Sequence, residues 1–342
     1  MILTLTPNPS LDRTVTLPGP LQRGAVNRLA TVTVEPGGKG VNVARVLANS
    51  GQAATALLPV AAHDPLLAAI EALGMDRLTA LPVQVSGAAR INTAVTEPDG
   101  TTTKLNEPGA GLSGQEVSAV EQELLAALGA AADSTAPAGA PAERAEEGHD
   151  WAILSGSLPP GAPDDWYARL VTLLRQAIPG LRIAVDTSDA PLAALASALP
   201  ESAPDLIKPN GEELAQLAGV GATDLEEGAI NGDLEPVAAA ARALVDLGIG
   251  AVMATLGPAG AVLVTARGAW HATAPEVAVV STVGAGDSSV AGYVLAEVRG
   301  GDEAERLATA MAYGSAAASL PGTTLPTPAD LPAQPAVVVQ LA

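Results

Sequence analysis

The chain has 342 residues, with 17 Lys and Arg against 37 Asp and Glu, a formal net charge of −20 and no cysteine. This acidic balance argues against general binding of nucleic acids or anionic membranes, which requires surfaces rich in Lys and Arg. The lack of cysteine excludes disulfides, a catalytic thiol and thiolate-bound metal centres. With 48% hydrophobic residues, the chain can form a large buried core, as one large domain or two small ones.

Short β-rich runs alternate with longer runs rich in Ala and Leu, which predicts strands alternating with helices. In chain order, strands are expected at 2–6, 54–60, 151–155, 181–186, 205–207, 251–256 and 261–265. Helices are expected at 41–50, 65–73, 163–177, 211–218, 235–247, 286–299 and 303–319. This alternation predicts right-handed βαβ units and an α/β fold with a mainly parallel central sheet and helices on both faces.

Two regions interrupt the alternation. Strand-like segments without intervening helices occur at 12–17, 28–35, 88–96 and 101–106, and they predict a small accessory β-sheet. Residues 130–149 are rich in Ala, Pro, Gly and Glu and lack periodicity, which predicts a solvated, mobile surface loop. We therefore expect a single domain over 1–342, with the accessory sheet formed by about 12–36 and 88–107.

The first residues, MILTLTPNPSLDR, lack the basic start and the long apolar stretch of a signal peptide. Apolar stretches elsewhere are interrupted by glycine and charged residues, so no membrane span is expected. Together with the absence of cysteine, this pattern favours a cytoplasmic protein.

The strongest motif is Thr282-Val-Gly284-Ala285-Gly286-Asp287, which leads into a helical run. Glycines ahead of a helix let backbone N–H groups point into one space, where the helix dipole favours an anion. A carboxylate among them would repel phosphate, unless it takes a proton from a hydroxyl that attacks a phosphoryl group. An ordinary N-cap aspartate is the alternative interpretation.

Two motifs near the start also carry polar groups. Residues 36–42 read PGGKGVN, which is not a Walker A loop because Val41 follows Gly40. Its backbone donors, ammonium and amide suit a phosphorylated, hydroxyl-bearing small molecule, while a tight strand–helix turn is the alternative. Asp12, in TPNPSLD, follows the first strand, where a carboxylate can accept two sugar hydroxyls or simply form a turn.

Three further polar motifs each follow a predicted strand: SGSLPPG at 155–161, KPNGEE at 208–213 and TLGPAG at 255–260. The carboxyl ends of parallel strands meet at one edge of a sheet, so we expect these motifs to converge there. The three histidines show no metal-ligand spacing, and we expect no function for them: His63, His149 and His271.

In this order along the chain, the motifs resemble those of the ribokinase-like (phosphofructokinase-B) carbohydrate kinases, over roughly residues 1–325. The sequence is most similar to the 1-phosphofructokinase and tagatose-6-phosphate kinase group. The resemblance implies a ribokinase-like three-layer sandwich, in which the accessory sheet is a lid that also pairs with a second subunit. It further implies ATP and Mg²⁺, and a substrate that is a sugar already carrying one phosphate.

The resemblance implies a role for each motif residue. Asp287 matches the general base, and the matching anion hole is formed by the N–H groups of Gly284, Ala285 and Gly286. Sugar-binding positions are matched by Asp12, Gly38 and Asn42. Positions that hold the phosphate already on the substrate are matched by Lys39 and Arg90, with Ser157 or Ser155 as a further candidate. Nucleotide contacts are matched by Lys208, Asn210, Thr255, Gly257 and Gly260, and Glu213 matches an acid tied to Mg²⁺ through water.

The activity implied by the resemblance is ATP-dependent phosphorylation of a ketose phosphate. Fructose 1-phosphate giving fructose 1,6-bisphosphate is the first expectation. Lys39 within GGKG is typical of the 1-phosphofructokinase and tagatose-6-phosphate kinase group as a whole. Tagatose 6-phosphate and fructose 6-phosphate are the alternatives. A catalytically inactive sugar-phosphate sensor is a hypothesis of a different class, and the retained Asp287, Lys39 and Asn210 argue against it.

Overall fold

The computed structural model describes residues 1–134, 149–219 and 222–341. The strands there are β1 (Ile2–Leu5), β2 (Ser10–Thr16), β3 (Thr31–Gly37), β4 (Ala54–Val60), β5 (Leu78–Gln84), β6 (Arg90–Thr96), β7 (Thr102–Asn106), β8 (Trp151–Ser155), β9 (Arg182–Asp186), β10 (Leu206–Ile207), β11 (Ala251–Thr255), β12 (Ala261–Thr265), β13 (Gly268–Ala272) and β14 (Val338–Gln340). The helices are α1 (Lys39–Asn49), α2 (Pro65–Ala72), α3 (Gly114–Ser134), α4 (Trp166–Ala177), α5 (Asp189–Ser197), α6 (Gly211–Ala218), α7 (Ala222–Ile230), α8 (Glu235–Asp246), α9 (Ala285–Val298) and α10 (Glu303–Ala318).

Ten strands form the central sheet in the order β14-β13-β12-β11-β10-β9-β8-β1-β4-β5. The seven strands from β11 to β5 run parallel, whereas β12, β13 and β14 add to the β11 side in antiparallel pairing. The mainly parallel sheet predicted from the alternating sequence is confirmed. The antiparallel edge was not predicted. The alternation of strands and helices indicates parallel pairing only, whereas β11, β12 and β13 follow one another without an α-helix and pair antiparallel.

Two apolar cores cover the two faces of this sheet. Side chains alternate between the faces, so Leu3 and Leu5 of β1 join one core and Ile2 joins the other. The first core lies against α3, α4, α6 and α8, and the second against α1, α2, α9 and α10. The result is a three-layer α/β sandwich with aliphatic side chains in both interfaces, as the scarcity of aromatic residues requires.

The accessory sheet has the strand order β3-β2-β6-β7. β2 pairs antiparallel with β3 and parallel with β6, and β6 pairs antiparallel with β7. Its strands are inserted between β1 and α1 and between β5 and α3. Both insertions therefore leave the main sheet near the carboxyl end of β1, which places the accessory sheet over that edge.

Several elements were not predicted from the sequence: β5, α3, α5 and α7, with β13 and β14 at the antiparallel edge. α7 covers part of an acidic run, yet Leu225 and Ala229 are buried and pack on the core. The helix was not predicted because the run was judged by its acidic composition. Two apolar side chains four residues apart are enough to pack one face of a short helix against the core.

The predicted loop at 130–149 begins later than expected. Residues 130–134 continue α3 to Ser134, because this run, AAADS, begins with three alanines, the strongest helix formers, and the first proline follows only at 137. Residues 135–148 of that loop lie outside the described residues. Among the helices that are described, none combines the length and the apolar composition needed to cross a bilayer.

Candidate active site

The predicted motifs meet at the carboxyl edge of the parallel strands. β1, β8, β9, β10 and β11 all end there, and α1 and α9 begin there on the same face of the sheet. An open parallel sheet binds its ligands at this edge because loops and helix N-termini face the same space.

Asp287 lies in the first turn of α9, where it is only 6% exposed. Gly284 precedes the helix with φ 77°, a left-handed conformation that favours glycine. Asn42 donates from Nδ2 to Oδ2 of Asp287 over 2.8 Å. Burial, reinforced by repulsion from Asp186, raises the pKa of Asp287 from 3.8 to about 6. The group is thus a carboxylate at neutral pH with an affinity for protons far above that of an ordinary aspartate.

The glycine turn ahead of α9 provides backbone donors beside this carboxylate. The first-turn amides of a helix have no intrahelical acceptor. Of the three predicted donors, Ala285 donates weakly to the carbonyl of Thr282 over 3.4 Å. A Cβ at Gly286 would lie 3.1 Å from Nζ of Lys208, so the Lys208 ammonium sits directly against this turn. An anion in the turn would therefore meet backbone N–H groups and a buried cation together.

The GGKG turn brings a second ammonium to the same place. Gly38 has φ 104°, and a Cβ there would clash with the side chain of Thr6, so the turn requires glycine. Lys39 starts α1 and donates from Nζ to Oδ1 of Asp186 over 3.3 Å. Asn42, one turn further along α1, reaches Asp287.

Asp186 is a central residue of this site, and its role was not predicted from the sequence. It ends β9, is 2% exposed, and its Oδ1 lies 3.3 Å from Nζ of Lys39 and 3.5 Å from Nζ of Lys208. Burial alone would raise the pKa of Asp186, but attraction to Lys208 and Lys39 outweighs it and lowers the pKa. Its Oδ2 is buried without a hydrogen-bond partner in the described residues. An acidic residue at the end of the predicted strand 181–186 was the only available signal.

A second group of predicted residues lies on the accessory sheet. Asp12 of β2 accepts from Ser10 Oγ over 2.8 Å and from Asn92 Nδ2 over 3.1 Å. A Cβ at Gly37 would overlap the Asp12 carboxylate, so the cross-strand glycine makes room for it. The sheet thus presents a fixed carboxylate toward the main domain.

Arg90 and Ser157 are brought together across the two sheets. Arg90 begins β6 and donates from Nη2 to Oγ of Ser157 over 3.2 Å and from Nη1 to the carbonyl of Glu107 over 3.4 Å. Its Nε is buried without a partner among the described residues. Burial lowers the pKa of Arg90, and Asp12 opposes that shift. Long hydrogen bonds and an unpartnered Nε leave this guanidinium able to bind an anion with several oxygens.

Lys39 is placed differently from the other two predicted phosphate-holding residues. Its hydrogen bond leads to Asp186 at the end of β9, whereas Arg90 and Ser157 contact each other at the accessory sheet. Its pKa, which burial alone would lower, is raised by Asp186, Asp287 and Glu213. Lys39 therefore lies with the reaction-centre residues, facing the carboxylates.

The remaining predicted residues lie on the β10–β11 side. Asn210 and Glu213 form a reciprocal capping box at the start of α6, with bonds of 2.7 and 2.8 Å. Asn210 also forms a bridge with Thr255, which ends β11. Gly257 and Gly260 bound a single 3₁₀ turn, and both have positive φ. The motif residues here shape the backbone, and the Asn210 and Glu213 side chains have a structural task besides any ligand contact.

One edge of the sheet brings together two ammonium groups, the backbone donors of the glycine turn and the Asp287 carboxylate with its raised pKa. The accessory sheet adds the Asp12 carboxylate and the Arg90 guanidinium. This combination defines a phosphotransferase that acts on an alcohol group, since phosphoryl transfer depends on charge neutralisation and alignment around a proton acceptor. Residues 6–330 match the model of the pfkB family of carbohydrate kinases, and the chain belongs to this family. The predicted family and ribokinase-like fold are confirmed.

Similar proteins cover nearly the whole chain. A 1-phosphofructokinase of Rhodobacter capsulatus is 38% identical over 336 residues, which span 97% of this chain and 95% of the relative. A 1-phosphofructokinase of Escherichia coli is 34% identical, with 94% and 93% covered. Among solved structures, phosphofructokinase-2 from Escherichia coli in complex with potassium is 29% identical, has a TM-score of 0.80, and matches over 96% of both chains.

Proposed function

We propose that the protein transfers the γ-phosphoryl group of ATP to fructose 1-phosphate and forms fructose 1,6-bisphosphate. The observation that carries the proposal is Asp287, a buried carboxylate with a pKa near 6 at the glycine turn of α9. The similarity to proteins named 1-phosphofructokinase supports the choice of fructose 1-phosphate over other ketose phosphates.

In the proposed mechanism, Asp287 accepts the proton of the attacking sugar hydroxyl. The hydroxyl oxygen forms a bond to the γ-phosphorus while the bond from phosphorus to the β–γ bridging oxygen breaks, and ADP leaves with that electron pair. The N–H groups of Gly284, Ala285 and Gly286 face the transferred group, with the ammonium groups of Lys39 and Lys208 beside it. A base with a pKa near 6 is deprotonated at neutral pH and still basic enough to assist proton removal.

Mg²⁺ fits the residues present. The buried, unpartnered Oδ2 of Asp186 is a hard oxygen donor of the type that Mg²⁺ prefers. Glu213, whose capping bond uses Oε2, would contact the ion through water. In the part of the chain that is described, no three acidic or histidine side chains form a metal cluster, so water and nucleotide phosphates would complete the coordination. When bound, the ion neutralises negative charge on the β- and γ-phosphates.

The substrate would bridge the two sheets. Arg90 and Ser157 would hold its existing phosphate, while Asp12, Gly38 and Asn42 would bind the sugar. The β10–β11 side, with Lys208, Asn210, Thr255, Gly257 and Gly260, would hold the nucleotide. In this arrangement the accessory sheet is a lid, which excludes water from the transferring phosphoryl group.

We also propose a cytoplasmic homodimer that pairs through the lid. The strand register places four half-exposed apolar side chains on the face of the accessory sheet opposite Asp12: Val32, Val34, Ile91 and Leu105. An apolar patch of this kind on an otherwise acidic protein favours a second copy of the same surface as its partner.

The test of the proposed function is an ADP-release assay with ATP and Mg²⁺, comparing fructose 1-phosphate, tagatose 6-phosphate and fructose 6-phosphate by kcat/KM. The Asp287→Asn variant supplies the background rate without the base. Preference for fructose 1-phosphate is expected. Preference for another ketose phosphate would change the substrate but not the mechanism, and no turnover with any of them would favour the sugar-phosphate sensor.

A further inference from the structure

The backbone of Gly156 forms three hydrogen bonds with buried residues, accepting two and donating one. Its carbonyl accepts from Oη of Tyr167 over 2.8 Å and from Oγ1 of Thr187 over 3.0 Å. Its N–H donates to the carbonyl of Asp186 over 3.0 Å. Gly156 has φ 117°, so the peptide is locked in a conformation that favours glycine. We call this arrangement the Gly156 clamp.

The clamp lies between two groups of site residues. On one side, Asp186 and Thr187 continue from β9, so the clamp is anchored beside the buried carboxylate at the reaction centre. On the other side, the next residue is Ser157, which is exposed and accepts the hydrogen bond from Arg90. The direction in which Ser157 leaves the sheet is therefore set by the orientation of the Gly156 peptide.

Neither hydroxyl is needed for packing. The Tyr167 ring is fully buried in the core on the α4 face, and Thr187 is 2% exposed. Phenylalanine would fill the space of the ring and valine the space of the threonine, so packing alone does not explain the two hydroxyls. A carbonyl oxygen accepts two hydrogen bonds at most in good geometry, and here both come from side chains on different elements. The two hydrogen bonds together fix the orientation of the Gly156 carbonyl, and with it the start of the segment that carries Ser157.

We propose that Tyr167 and Thr187 are positioning residues that hold Ser157 against Arg90 and thereby shape the site for the phosphate on the incoming sugar. This inference rests on the proposed function and adds the residues that set its preference for a phosphorylated substrate. Loss of one hydroxyl leaves the Gly156 carbonyl with one donor, which lets the Ser157 segment rotate. The N–H group of Gly156 still donates to the carbonyl of Asp186, so the transferring end of the site keeps its anchor.

The test compares Tyr167→Phe with the wild type. Loss of one neutral hydrogen bond should raise KM for fructose 1-phosphate about three- to tenfold, while kcat and KM for ATP stay within about twofold of the wild type. Thr187→Val should act in the same way, and Thr187→Ser, which retains the hydroxyl, should restore KM. The matched control is Tyr313→Phe, which removes a buried tyrosine hydroxyl bonded to Ser50 over 2.7 Å and should leave KM unchanged.

A double-mutant cycle separates positioning from general damage. If Tyr167 acts through Ser157, adding Tyr167→Phe to Ser157→Ala should raise KM no further. The inference would be overturned if the two substitutions multiplied their effects on KM in the double variant. It would also be overturned if Tyr167→Phe left KM unchanged or lowered kcat as much as it raised KM.

Calorimetric titration with fructose 1-phosphate gives the same contrast without turnover. If the wild type binds or phosphorylates fructose 1-phosphate and Tyr167→Phe does so with the same affinity, the role of the clamp is refuted but the proposed function is not. A wild-type protein that neither binds nor phosphorylates the sugar refutes the proposed function and this inference together.

Discussion

Asp287→Asn should inactivate the protein and at the same time stabilise its fold. The wild-type carboxylate is charged at neutral pH although it is only 6% exposed, and its pKa of about 6 records the unfavourable free energy of that charge. The difference from the ordinary value of 3.8, at about 1.36 kcal/mol for each pKa unit, corresponds to about 3 kcal/mol at pH 8. Asparagine has no charge to bury and can still accept the hydrogen bond from Asn42.

The sign of the pH dependence follows from the raised pKa. Between pH 3.8 and about 6 the folded protein holds the proton and the unfolded chain does not, so stability from this group falls as pH rises through that window. The gain from Asp287→Asn should be largest at pH 8, about half as large at pH 5 and absent below pH 3.8. For a chain of this length, about 3 kcal/mol corresponds to a rise in Tm of about 4 °C.

The assay is thermal unfolding of both proteins without nucleotide at pH 8 and pH 5, together with kcat, which should fall by on the order of 10²-fold or more. Asp302→Asn is the matched control, because Asp302 caps α10 away from the site and asparagine caps equally well. An Asp287→Asn protein that is no more stable than the wild type at pH 8, or that turns over normally, would refute the reasoning.

Three further predictions concern pH, Lys39 and the lid. The pH profile of kcat/KM should rise with an apparent pKa near 6, so that the value at pH 5 is about a tenth of that at pH 7, and a flat profile would remove Asp287 as the base. Lys39→Ala should lower kcat about 10-fold or more and change KM for fructose 1-phosphate less, because its ammonium lies at the reaction centre beside Asp186; an effect on KM for ATP alone would mean that the two sites are assigned the wrong way round. Val34→Asp should convert the dimer to a monomer in sedimentation, whereas Leu247→Asp, at a similarly exposed residue elsewhere, should not; a dimer that survives Val34→Asp contradicts pairing through the lid.

Glycine-rich motifs made much of the site predictable from sequence. The turns before Lys39 and Asp287 combine glycines with one charged residue in a few consecutive letters, so local sequence alone indicates a helix start with exposed backbone donors. Their convergence follows from the parallel sheet, in which every strand ends at the same edge.

Asp186 was missed because its importance is not local. Nothing in the run RIAVD distinguishes it from any acidic residue after a strand, and its two cationic neighbours come from distant parts of the chain. Tyr167 was hidden in the same way, since an aromatic residue on the apolar face of α4 is typical of a core position. Both residues act through contacts with other elements of the fold, and such contacts cannot be predicted from the neighbouring sequence.

The position of β1 in the central sheet has a consequence for folding. The first strand of the chain lies in the interior of the sheet, between β4 and β8, and its pairing with β8 joins Leu5 to Leu154. During synthesis, one edge of β1 therefore has no partner until about half of the chain has left the ribosome. Parallel pairing over such a separation is slow, because the entropy cost of closing the long loop comes before the strand contacts that stabilise the pair. We expect the nascent amino-terminal half to bind chaperones, and folding to become cooperative only when β8 reaches its place beside β1.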